Sequence, residues 1–230
     1  MNFILVPGFW LTAESWNDVS RKLSASGVDH VALTLPGLER GGNNTRQVRL
    51  VDHIDSVRLV VESFADDVVL VGHSGAGPIC HAAAAQATDK VRRIVHVDTW
   101  PLPPGMAINS DMATGTDIIE LPDWSVFEPE DLVDMNDHIR DRLRRESLPQ
   151  PAAVARDRFP AMDDRRLSVP TTIICCEFSS EQFRKWVSAG DERLAEVARL
   201  HDVSYIDLPT GHWPQFTKPV ELAAALVSLA

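Results

Sequence analysis

The sequence predicts an α/β architecture, a mostly parallel sheet with helices on both faces. Three observations carry this expectation: short β-branched runs bounded by Gly, Pro or Asp, helical periodicity between most of them, and a length of 230 residues that suits one hydrophobic core. In chain order the expected strands are residues 3–6, 30–35, 68–71, 93–97, 171–176 and 203–208. Apolar residues recur at three and four positions in 15–26, 48–64, 77–87, 181–200 and 220–229, the expected helices. Strand alternating with helix implies crossover connections, and therefore parallel pairing.

Residues 101–169 break the alternation. They hold no convincing strand, many prolines, an acidic stretch at 128–137 and a helical pattern at 132–145. An insertion of this length after a strand is expected to fold as a small helical cap over the carboxyl edge of the sheet, where functional loops gather. The whole of 1–230 is thus expected to be one domain, with 101–169 as a cap-like insertion.

Composition narrows the function classes. Hydrophobic residues make up 44% and charged residues 24%, the balance of a soluble globular protein. With 33 acidic against 22 basic side chains the net charge is −11, which repels nucleic acid and anionic membrane surfaces. A small-molecule substrate is the expected partner; oligomeric state is not readable. Residues 3–6 follow no basic leader, and no apolar run approaches the ~18 residues of a bilayer span, so the expected location is cytoplasmic. Cys80, Cys175 and Cys176 lack C-x-x-C spacing, and neither a metal nor a cofactor is expected.

The chemistry concentrates in Val68-Val69-Leu70-Val71-Gly72-His73-Ser74-Gly75-Ala76-Gly77-Pro78. It reads strand, tight turn, helix. A serine at such a turn needs small neighbours, which Gly72, Gly75 and Ala76 are, and the helix that follows directs its free N–H groups at the site. Pro78 fits the first helical turn, where amides have no helical partner. A competing reading takes Gly75-x-Gly77, followed by a helix, a strand and Asp98, as a dinucleotide-binding unit. Cys80 at the third small position and the intruding Pro78 weigh against it.

This segment resembles the nucleophile elbow, G-x-S-x-G, of the α/β-hydrolases, with Ala76 in place of the final glycine. The resemblance implies the α/β-hydrolase fold, Ser74 as nucleophile and a histidine base on the loop after the last strand. His212 stands there, in Pro209-Thr210-Gly211-His212-Trp213-Pro214, and the order serine, acid, histidine is kept. The resemblance also implies an acid at a strand end. Glu177, after 171–176, holds the usual place although aspartate is the usual residue; Asp98, after 93–97, is the alternative and ranks second. Asp207 is expected to be structural, and His73 is a candidate contact to substrate or to the oxyanion loop. Val6-Pro7-Gly8-Phe9-Trp10 is similar to the family's oxyanion loop, which would supply the Phe9 amide beside that of Gly75. Trp10, Trp100, Trp124 and Trp213, with Leu102 and Met106, are the candidate walls of an apolar substrate pocket.

The elbow residue also selects among relatives. Epoxide hydrolases and haloalkane dehalogenases of this fold use aspartate as nucleophile. Plant-type hydroxynitrile lyases are similar in size and in Phe183-x-x-Trp186, yet carry lysine where this chain has Trp213. The expected activity is cleavage of a small ester or related acyl substrate through an acyl-enzyme. Lactone, thioester, carbon–carbon or perhydrolase chemistry would suit the same residues, and a non-catalytic binding module on this scaffold is the alternative.

Overall fold

The computed structural model describes residues 2–42, 45–112 and 115–230. The chain runs β1 (Asn2–Val6), α1 (Asn17–Ala25), β2 (Asp29–Ala32), α2 (Leu50–Ser63), β3 (Val68–His73), α3 (Ala76–Gln86) and β4 (Val91–Val97). It continues through β5 (Ile118–Ile119), α4 (Asp137–Glu146), β6 (Gln150–Pro151) and α5 (Ala152–Arg156). The last third holds β7 (Thr171–Cys175), α6 (Ser180–Ser188), α7 (Ala195–Arg199), β8 (Val203–Asp207), α8 (Pro214–Thr217) and α9 (Pro219–Val227).

Six strands form one sheet in the order β2-β1-β3-β4-β7-β8, every pair parallel, as the alternation predicts. Period-2 alternation sorts its side chains between two cores. Phe3, Leu5, Val69, Val71, Val95 and Val97 face α1 and α9, while Ile4, Val6, Leu70 and Ile94 face α2 and α3. Burial on both faces explains why these strands read as continuous apolar runs.

The strand order places the site. From β1 the chain leaves toward the β2 edge, whereas from β3 it leaves in the other direction, toward β4. The loops after β1 and β3 therefore part company side by side. That divergence opens a crevice at the carboxyl ends of the two strands, the usual ligand position in open parallel sheets.

Two expectations need correction. The helical pattern at 181–200 is not one helix: Gly190, at φ 79°, ends α6 and its following turn, and α7 starts only at Ala195. The insertion also contains strand, since β5 and β6 pair antiparallel and Ala107 bridges Arg158. Two-residue strands carry too little period-2 pattern to be seen in sequence. The expected helix appears as α4, five residues later in starting than the pattern, because Asn136 caps it by accepting from the Ile139 amide.

The insertion is tied to the loop after β1. Leu148 N donates to the Trp10 carbonyl at 2.8 Å, and the Trp10 indole donates to the Ile119 carbonyl at 3.0 Å. No helix among the described residues is long and apolar enough to cross a membrane.

Candidate active site

Ser74 follows β3 directly and sits at φ 51°, a left-handed conformation that costs a non-glycine residue free energy. Its amide donates to the Val97 carbonyl at 3.1 Å, which holds the turn against β4. The elbow's glycines are explained by close approach. A Cβ at Gly72 would lie 2.7 Å from the Ala76 carbonyl oxygen; one at Gly75 would lie 2.6 Å from the Phe9 ring; one at Gly77 would overlap Thr99. Gly8 permits the β1 loop to touch the elbow, since its Cβ would stand 2.9 Å from that of Ser74. Packing against protein thus accounts for Gly75 and Gly77.

The Ser74 hydroxyl lies 2.8 Å from His212 Nε2, although the two residues are 138 apart in sequence. On the other side of the ring, His212 Nδ1 lies 2.7 Å from Asp98 Oδ2. A carboxylate at Nδ1 keeps the ring proton there, leaving Nε2 to accept from the serine. Such an imidazole can take the hydroxyl's proton.

Asp98 and Glu177 both reach Nδ1. Glu177 Oε1 is 2.8 Å from it, but the single Nδ1 proton serves one acceptor, and the aligned hydrogen bond goes to Asp98. In the structure Asp98 stands in line with the ring and Glu177 beside the pair. Asp98 is also the better held. Its side chain is fully buried, and Oδ1 accepts the amides of Cys176 at 3.0 Å and Glu177 at 3.1 Å. Asp98 itself takes φ 51°, a second strained residue at the site. Asp207, expected to be structural, accepts from Ser180 at the start of α6.

The charges follow from this geometry. Burial would raise the Asp98 carboxyl, but the hydrogen bond from His212 and the imidazole's charge outweigh it and hold it below the usual range. Burial would likewise lower the His212 imidazole; its contacts with the Asp98 and Glu177 carboxyl groups reverse that and raise it. Glu177 is pushed up to about 8, by burial first, with the Asp98 charge adding to the push against the pull of His212.

His73 does not enter the clefts. Its buried ring donates from Nε2 to the His212 carbonyl at 2.6 Å, while Nδ1 accepts from Gln215 Nε2 at 3.1 Å. Burial pushes this imidazole down to about 3, so it stays neutral. The base-bearing loop is held from the insertion as well: the amides of His212 and Gly211 donate to the carbonyls of Asp131 and Val133, at 2.9 and 3.1 Å.

Two clefts meet at Ser74. One, of about 210 Å³, is walled by Phe9, Trp10, Met112 and Phe127, with Asn109 and Asp131 as polar groups. The other, of about 340 Å³, is walled by Trp100, Leu102, Phe178 and Trp186, with Asp98, Glu177 and Arg193 as its charged lining. Of the tryptophans and apolar residues singled out in the sequence, Trp10 lines the smaller cleft and Trp100 and Leu102 the larger. Trp124 and Trp213 do not line either cleft: Trp213 is buried, edge-on to His212, and Trp124 packs against it at 6.0 Å. Met106 lines a neighbouring groove instead. Ile108, Asn109, Phe127 and Phe178 had no sequence signal, for each lies on a connection whose course the periodicity does not specify, and Arg193 fell inside the expected helix 181–200 with nothing to mark it. Phe9 and Gly75 both border the smaller cleft, and neither amide donates to a backbone carbonyl among the described residues.

Asp98, Glu177 and His212 also offer three potential metal-ligand atoms within 4.8 Å of one another. A cation at Nδ1 would move the ring proton to Nε2 and reverse the hydrogen bond with Ser74. The donor set therefore suits an acid–base pair better than a metal centre. The three thiols are buried and free.

A family model described as "Alpha/beta hydrolase family" matches residues 3–225. The chain is 32% identical over 101 residues to the carbendazim hydrolyzing esterase of Nocardioides sp. (strain SG-4G), a match that spans 43% of this chain and 42% of that relative. Among solved structures, the methylesterase MES16 of Arabidopsis is similar with a TM-score of 0.79 at 18% identity, over 100% of this chain and 98% of that one. An extracellular alpha/beta-hydrolase from a Paenibacillus species gives 0.78 at 18% identity, over 99% and 98% of the two chains.

Proposed function

The chain belongs to the alpha/beta hydrolase family, and from that premise we propose that it is a serine hydrolase that cleaves a small carboxylic ester through an acyl-enzyme. The observation that carries this reading is the unbroken hydrogen-bonded line from Ser74 through His212 to Asp98, built on a strained serine at the carboxyl edge of the sheet. The esterase named among the relatives supports the same chemistry.

In this mechanism His212 Nε2 takes the Ser74 proton as Oγ attacks the ester carbonyl, and Asp98 steadies the imidazolium that forms. The amides of Phe9 and Gly75 receive the oxyanion, helped by the positive end of α3. Each donor is worth roughly 3 kcal/mol to the transition state. His212 then returns the proton to the departing alcohol, and water, activated by the same imidazole, releases the acid.

A fluorophosphonate probe tests this directly. The native protein should be labelled and Ser74→Ala should not, with p-nitrophenyl acetate hydrolysis lost in parallel. Unlabelled native protein of intact fold would refute catalysis and favour a binding module on the same scaffold.

A further inference from the structure

Beside the two clefts runs a groove of about 730 Å³, walled by residues 103–111 and by Arg156, Arg158 and Arg193. It adjoins both. It shares Ile108 and Arg193 with the Trp100 cleft, and Ile108 and Asn109 with the Phe9 cleft, which places its arginines beside the space around Ser74.

The charge of this groove runs against that of the molecule. A chain with net charge −11 places three arginines around it and one acid, Asp111. Several arginines elsewhere are ion-paired, among them Arg49 with Asp157, Arg142 with Asp18 and the buried Arg166 with Glu196. Arg193 has no ion pair among the described residues. Its neighbour Asp191 accepts from the Arg193 backbone amide, and the guanidinium lies 6.0 Å from the Trp100 ring centroid. Arg158 gives one nitrogen to the Gly105 carbonyl, which braces the groove wall. The Trp100 cleft is consequently polarised, with carboxyl groups at the Ser74 end and a cation in the wall it shares with the groove.

Resting on the esterase reading above, we propose that this groove is a subsite for a carboxylate on the substrate, so that the enzyme prefers esters carrying a free acid group over neutral esters of the same length. A planar guanidinium binds a carboxylate through two parallel N–H donors. The negative field of the rest of the surface disfavours anions at other places, so a basic groove next to the reacting serine confers selection as well as affinity. The Asp98 carboxylate near Ser74 disfavours the same carboxylate at that end, which sets which end of the substrate enters the groove.

The experiment compares matched esters that differ in charge. The glutarate mono-p-nitrophenyl ester against p-nitrophenyl valerate puts the carboxylate on the acyl side; 4-acetoxybenzoate against phenyl acetate puts it on the leaving group. In at least one pair the ratio of kcat/KM, anionic over neutral, should exceed one at low salt and fall as salt rises. Arg193→Gln and Arg158→Gln should each lower that ratio by roughly tenfold to a hundredfold, through KM, the range set by a hydrogen bond to a charged group. Arg193→Glu should invert it. Because the readout is a ratio within one variant, partial unfolding cancels. Ratios that do not move with salt or with any of the variants overturn the subsite while leaving ester hydrolysis intact, whereas failure of every ester would overturn the reading on which it rests. Free glutarate should compete with the anionic ester; competition by inorganic phosphate and not by glutarate would refute a carboxylate site.

Discussion

Two carboxyl groups at one imidazole nitrogen invite a charge-removal experiment. Glu177→Gln keeps the side chain's shape and deletes its charge; Asp98→Asn does the same for the aligned partner. An imidazolium and a Glu177 carboxylate separated by 2.8 Å attract by about 6 kcal/mol at an effective dielectric of about 20. Glu177 is partly exposed and carries a proton for part of the neutral range, so only a fraction of this acts on His212. Even a quarter amounts to about one pK unit. The sign follows from the role of the base. His212 must be neutral to act, an anionic Glu177 favours its charged form, and removing that anion lets the ring stay neutral at lower pH. For Glu177→Gln, the acid limb of kcat/KM should therefore move down by one pK unit or more, with the plateau within about tenfold of native. Asp98→Asn should instead lower the plateau by about three to four orders of magnitude, because the ring loses the acceptor that sets its tautomer. Both follow from pH-stat hydrolysis of p-nitrophenyl acetate between about pH 5 and 9. A Glu177→Gln plateau as low as that of Asp98→Asn would make Glu177 the principal partner, and an unmoved limb would refute the electrostatic link.

Two further outcomes are expected. Gln215→Leu removes the donor that pins His73 against the His212 carbonyl; kcat should fall about tenfold with KM little changed, at a stability cost of about 1–3 kcal/mol, and an unchanged kcat would dismiss this second tether. His53, His73, His81 and His96 are all lowered by burial, His53 to about 4 and His73 to about 3, so the stability they contribute is present above about pH 6.5 and lost as pH falls toward those values, with His212, which is raised, acting in the opposite sense. Calorimetry should accordingly show Tm falling between about pH 6.5 and 4, and a flat Tm across that interval would exclude the effect.

Sequence singled out Ser74 and His212, which the structure brings within hydrogen-bond distance, because each lies in a local pattern, one on a strand-turn-helix and the other on a Gly-His loop before the last helix. The acid was harder to read. Asp98 and Glu177 end neighbouring strands β4 and β7, and their order at His212 depends on how two strand ends come together across 79 residues of chain, which no local spacing encodes. The tryptophans show the same limit. Trp213 adjoins His212 in sequence yet is buried beside it rather than facing a cleft, while Phe178, with no motif around it, forms a wall. Gly190 was visible as a helix breaker inside 181–200, but the apolar period on both sides of it hid the break.

The insertion has a role that neither its length nor its composition suggests. Its turn at Asp131 and Val133 accepts the amides of His212 and Gly211, and a Cβ on Gly211 would collide with the Asp131 carbonyl. The same insertion holds Trp10 through Ile119 and Leu148, beside the Phe9 amide proposed to receive the oxyanion. One segment therefore braces both the loop that carries the base and the loop that carries an oxyanion donor. Ser74 itself is held by the sheet, through the Val97 carbonyl. A change in the insertion that shifts Asp131 by even one ångström would move His212 relative to a serine that stays in place, and proton transfer is sensitive to displacements of that size.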